Sequence, residues 1–193
     1  MRKITAADIL PLPEYMKVRA QRRTAISALK KNRRLEVGPF ATFYFESFDT
    51  MLHQVQEMLY IEKGGAEQLP DELAAYNPLI PDGHELTATV MLEIDDPVRR
   101  ARVLAGLGGI EHKMFIRFAG ETVKGAAEDD QERTREDGKA SSVQFVHFPF
   151  TAAQIARFRA PGTEVVVGFN HESYGHMALM SETVRATLAK DFD

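Results

Sequence analysis

The chain has 193 residues, 44% of them hydrophobic, which is enough apolar material for one globular domain with a sizeable core. It contains no cysteine, which excludes disulfides, thiolate catalysis and cysteine-ligated zinc or iron–sulfur sites within the chain. The net charge of −4 gives no global attraction to nucleic acid, and no apolar run is long enough to span a bilayer. Met1-Arg-Lys-Ile carries no signal-peptide pattern, so a cytoplasmic location is the simplest expectation.

In chain order, Thr5 to Asp8 can cap a short turn, and Pro11 and Pro13 interrupt the chain ahead of the first long helix, expected from Glu14 to about Arg34. From Lys17 to Arg34 this segment carries eight cations and no acid. Tyr15, Val18, Ala25, Ile26 and Leu29 form its apolar arc, and Arg22 and Arg33 project into that arc. An arginine on a packing face requires a carboxylate partner, and Glu46 and Glu57 are the natural candidates. Nucleic-acid binding ranks below that internal pairing. Leu35 to Phe45 reads as short extended segments around a Gly-Pro break, leading into a central helix from Ser47 to Glu62. Phe48, Met51, Leu52, Val55, Met58 and Leu59 form the apolar side of that helix, and Lys63-Gly-Gly65 ends it.

A short helix is predicted over Glu67–Tyr76, followed by a Pro/Gly loop to Gly83. Glu85 to Ile94 alternates as a strand with one face on the core. Asp96 and Pro97 start a helix running to about Leu104, and the glycine cluster at 106–109 follows it. A phosphate-binding loop would need the opposite order. His112 to Phe118 and Thr122 to Ala126 read as a hairpin, Glu128 to Lys139 as an exposed, mobile charged loop, and Ser142 to Phe150 as another strand. Thr151 caps a helix to Phe158, Thr163 to Phe169 is a strand, Tyr174 to Met180 fits strand or helix, and Ser181 caps a final helix. The expected architecture is a single α+β domain over 1–193, with a helical part over about 1–80 packed on a mostly antiparallel sheet over about 85–193.

Two polar groups stand out. Asp49, His53 and Glu57 recur every four residues along one stripe of the central helix, with Glu46 nearby. Such a row can bind a metal or relay a proton, although polar faces of amphipathic helices are usually solvated. The second group is Asn170-His-Glu-Ser-Tyr-Gly-His176, a post-strand loop with two histidines spaced unlike a helical metal pair; His147 or His112 would have to complete a site. The candidate metal ligands are therefore Glu46, Glu57, His147, His171 and His176, for a divalent transition metal, with Glu93 as a further acid on a strand.

Several short motifs occur together: Arg33-Arg34-x-x-x-Gly38, Phe43-x-Phe-Glu46, Thr50 with Gln54-x-Gln-Glu-Met-Leu59, Glu72-Leu-x-x-Tyr-Asn-Pro-Leu-Ile-Pro81, Ala88-Thr89 with Glu93-Ile94, Gly108-Gly-Ile110 and His171-x-x-Tyr174. As a set they resemble an uncharacterised bacterial domain-of-unknown-function family, and the resemblance spans most of the chain. Members are often encoded beside rubrerythrin-like and iron–sulfur oxidoreductase proteins, which implies a link to redox or peroxide metabolism and a redox-protein partner. The family pattern Asp-His-Pro-x-Tyr stands here as Asn170-His-Glu-Ser-Tyr174, and His53 lies outside the pattern. Two functions follow as expectations. One is a non-enzymatic accessory or interaction protein in a bacterial redox system, with self-association left open. The other is a metal-dependent enzyme using the carboxylates and histidines above, which requires several of them to meet in one pocket.

Overall fold

The structure, a computed structural model, describes residues 2–128, 134 and 138–192. A 3-10 turn at Ala6–Asp8, closed between Thr5 and Asp8, precedes helix α1 (Leu12–Lys30). A hairpin of β1 (Arg34–Val37) and β2 (Ala41–Phe45) leads to α2 (Phe48–Glu62) and α3 (Gly65–Tyr76). Then come β3 (Glu85–Leu92), α4 (Pro97–Ala105), β4 (Met114–Phe118), β5 (Glu121–Lys124), β6 (Ala126–Ala127) and β7 (Val143–Pro149). The chain closes with α5 (Ala152–Arg159), β8 (Val165–Phe169), β9 (Met177–Leu179) and α6 (Glu182–Leu188). Helix starts follow from local chemistry. The side chains of Ser47, Asp96, Thr151 and Ser181 accept from the amides of Thr50, Arg99, Gln154 and Val184, satisfying donors that a first turn leaves open.

The strands form two antiparallel sheets, ordered β1-β2-β3-β7-β6 and β5-β4-β8-β9. The α+β expectation holds, but the first sheet takes in the 34–45 segment as full ladder strands, with Phe43 opposite Val90. The 174–180 ambiguity resolves as strand β9. Inward residues of both sheets meet in one core: Phe43, Val90, Val146 and Phe148 from the first, Ile116, Phe118, Val167 and Phe169 from the second. Phe43 and Phe169 bridge the layers with ring centroids 5.1 Å apart.

The run from β5 to β6 passes from one sheet to the other at Gly125, whose amide donates to the Met114 carbonyl at 2.9 Å. A Cβ at this position would lie 2.6 Å from Val146 Cγ2, so the crossing needs glycine for close approach. A second core of Ile4, Met51, Val55, Leu79 and Ile80 joins α2 and α3 to the opposite face of the first sheet through Phe145. The charged-loop reading of 128–139 falls largely on residues outside those described.

Candidate functional site

The polar stripe of α2 turns Glu57 and His53 toward α1, while Asp49 at its start is exposed. Glu57 accepts two hydrogen bonds from the Arg19 guanidinium, both at 2.8 Å, and a third from the Tyr15 hydroxyl at 2.5 Å. Arg19 also lies over the Tyr60 ring, 4.2 Å from its centroid. The Arg19 pairing holds the Glu57 carboxyl well down, at about 2, and burial beside that carboxylate pushes the Tyr15 phenol up. The expected internal pairing of Glu57 exists, but its partner is Arg19 rather than Arg22 or Arg33. One helical turn separates Arg19 from Arg22, and Arg22 lines a groove between the two helices instead of reaching Glu57.

Arg33 corrects the other half of that expectation. It lies at the entrance to β1, where its guanidinium pairs with Asp191 and donates to the backbone carbonyls of Phe45 and Glu46 at 3.0 and 2.6 Å. The Glu46 carboxylate instead takes a hydrogen bond from the Thr89 hydroxyl at 2.7 Å, and its second oxygen is buried without a hydrogen-bond partner. Glu93 accepts from Thr42 and Tyr44 at 2.7 and 3.0 Å on the outer face of the first sheet.

The histidines are dispersed. The ring nitrogens of His147 meet Glu85 and Glu128, each at 2.9 Å. The Glu85 hydrogen bond, with Glu128 adding to it, pushes the imidazole up to about 9 against the cost of burial. Both nitrogens are therefore engaged as donors of an imidazolium at neutral pH. His171 accepts from the Ser173 amide on Nδ1 at 3.1 Å, so its Nε2 carries the proton and donates to the Gly108 carbonyl. Both nitrogens are again occupied. His176 packs edge-on against Tyr174, with centroids 4.5 Å apart, and lies over Gly38, where a Cβ would come 2.7 Å from the imidazole. The Tyr174 hydroxyl donates to the Val37 carbonyl at 2.7 Å and accepts from the amides of Phe40 and Ala41, so this loop holds the tip of the β1–β2 hairpin. His112 is exposed on a 3-10 turn. Glu46, Glu57, His147, His171 and His176 thus occupy separate places. Among the described residues no three histidine or carboxylate side chains converge where they could hold a metal ion.

What the two helices do form is a groove of about 320 Å³. Arg22, Ala25, Ile26 and Leu29 line it from α1, and Asp49, Leu52 and His53 from α2. Arg22 is half-buried there, and among the described residues no carboxylate pairs with it. Burial pushes the His53 imidazole down, against the pull of Glu57 and with smaller contributions from Lys30, Arg23 and Arg19. The arc positions of α1 were legible as a packing face, but not that α2 would leave an open cleft against it. Two buried polar contacts were not read from the sequence: Asp191 under Arg33, and Gln56, which stood there only as part of a motif and whose amide bonds both backbone groups of Leu10 at 2.9 and 3.1 Å.

The fold defines an α+β protein of two packed antiparallel sheets, flanked by a helical layer whose outermost helix is cationic. Residues 3–192 match the family described as Protein of unknown function (DUF3501), and the chain belongs to that family. Over its full length it is similar to a crystal structure of a novel protein of unknown function from Burkholderia pseudomallei K96243. The two share 36% identity at a TM-score of 0.92, with 100% of each chain covered. No curated protein matches. Among the described residues, no helix is long and apolar enough to cross a membrane.

Proposed function

We propose that this protein is a non-enzymatic accessory or interaction protein, and that its contact surface is the outward, cationic side of α1. One observation carries this reading. The candidate metal ligands Glu46, Glu57, His147, His171 and His176 sit in separate structural contacts, whereas the exposed cations of α1 and of the segment after it make no ion pair among the described residues. Lys17, Arg23, Lys31 and Arg34 are exposed, and among the described residues none of them makes an ion pair. A surface of one sign steers and orients an oppositely charged partner, so the partner is an acidic protein. The redox or peroxide-related setting enters through the family resemblance, and a rubrerythrin-like protein from the same genome is the first partner to test.

Sedimentation velocity on the untagged chain, alone and with that protein, at low and high salt, tests the reading. The expected result is a complex at low ionic strength whose affinity falls about tenfold when Arg23→Glu and Lys31→Glu are combined. The run on the chain alone reads its self-association. Elemental analysis of the same preparation tests the competing reading. A near-stoichiometric transition metal, lost on substituting Glu46 or His171, would overturn the accessory-protein reading in favour of a metal-dependent enzyme.

A further inference from the structure

Arg22 presents an unmet requirement. It sits on the inner face of α1, half-buried, and the acid that would normally match it is taken by Arg19. The groove beside it is otherwise apolar along its floor, through Ile26 and Leu29 on one wall and Leu52 on the other. A guanidinium at one end of an apolar trough is the arrangement that binds an anion with a hydrocarbon tail, because charge fixes the head and burial holds the rest. The groove volume, about 320 Å³, falls in the range of small-ligand sites.

We propose that the α1–α2 groove binds a free amphipathic carboxylate, of the medium-chain fatty-acid type, with its head on Arg22 and its tail along Ile26, Leu29 and Leu52. Charge complementarity favours this occupant. Arg23 and Lys30 add positive charge near the groove, while the nearby Glu57 is already paired with Arg19. Asp49, the acid on the groove wall, lies one helical turn beyond His53, toward Leu29 and away from the Arg22 end. His53 lines the same groove as Arg22, and its burial keeps it neutral, so it can donate one hydrogen bond to a bound head group. The site is independent of any protein partner on the outer side of α1.

The test is calorimetric titration with decanoate below its micelle concentration. Acetate serves as charge without tail and decanol as tail without charge. Decanoate should bind one-to-one and much more tightly than either control. Arg22→Gln should weaken it about tenfold, while Arg22→Lys retains most of the affinity. Ala25→Phe, which fills the groove and keeps the arginine, should also abolish binding. Circular dichroism and thermal melts establish that each variant is folded. Proton NMR supplies a second readout: an anion seated on Arg22 raises the His53 titration midpoint, and in the Arg22→Gln protein decanoate leaves it in place. Absence of decanoate binding, or equal affinity for wild type and Arg22→Gln, overturns the proposal. So does a protein that sediments with phosphatidylglycerol vesicles but ignores free decanoate, since the anion would then be a membrane headgroup.

Discussion

Glu57 owes its low proton affinity to Arg19, whose two hydrogen bonds at 2.8 Å hold the carboxylate charged, with Tyr15 adding a third. The folded chain holds that proton less tightly than the unfolded chain, at about 2 against an ordinary 4.5. Its stabilisation is therefore complete above about pH 4.5 and is lost as pH falls through about 2. Glu57→Gln keeps an acceptor for Tyr15 but removes the charge that Arg19 matches. The thermal midpoint at neutral pH should fall by a few degrees, and the acid-side loss of stability should flatten; an unchanged midpoint would sink the pairing. His147 runs the other way. Its folded value of about 9 lies above its ordinary 6.5, so the Glu85–His147–Glu128 contact is at full strength below pH 6.5 and is lost as pH rises through 9. Urea melts should show stability declining across that window in wild type, and His147→Gln should remove most of the slope. A slope that survives the substitution would assign it to other groups.

At the scale of elements, helix ends and alternating strands were legible because each is written in a few adjacent residues. Asp96, Thr151 and Ser181 each cap a helix at the expected place, Ser47 caps the helix it was expected to begin, and the Glu85–Leu92 pattern sets which face of β3 meets the core. The polar stripe of α2 was legible as a stripe but not as an interface. A row of Asp49, His53 and Glu57 has the same sequence signature whether water or a basic helix lies over it, and only the return of α1 decides which. The Arg22 and Arg33 pairings failed for different reasons: one turn of helical register gives Glu57 to Arg19 rather than Arg22, and α1 ends at Lys30, so Arg33 lies outside the helix and reaches Asp191. Gly125 was silent too, because its role comes from Val146, a residue on another strand. Gly125→Ala should cost about 1–3 kcal/mol in chemical denaturation by forcing β5–β6 away from β7. Val146→Ala in the same background should recover part of that loss. An additive double variant would mean that the strand crossing has room to spare.

For the whole molecule, the ion pair that spans the most sequence among the described residues is also the most buried of them. Arg33 and Asp191 lie 158 residues apart, both under one-tenth exposed, and their ion pair fastens the last turn of the chain onto the start of the first sheet. Arg33 also donates to the carbonyls of Phe45 and Glu46, where β2 leaves the ladder for α2, so one side chain joins the first strands, the central helix and the C-terminal segment. Its removal orphans three acceptors at once. Asp191→Asn removes one charge and keeps an acceptor oxygen beside the guanidinium. Breaking a buried pair of this kind costs about 3–5 kcal/mol, because the remaining charge stays buried without compensation. Arg33→Met should therefore destabilise the protein more than Asp191→Asn, and the pair of substitutions together should cost less than their sum. Because the contact closes the fold end to end, each variant should lower a single cooperative transition seen equally by far-UV circular dichroism and tyrosine fluorescence. If instead Asp191→Asn releases the C-terminal helix in a separate early transition, the C-terminal segment is a detachable strap and the two-sheet core folds without it.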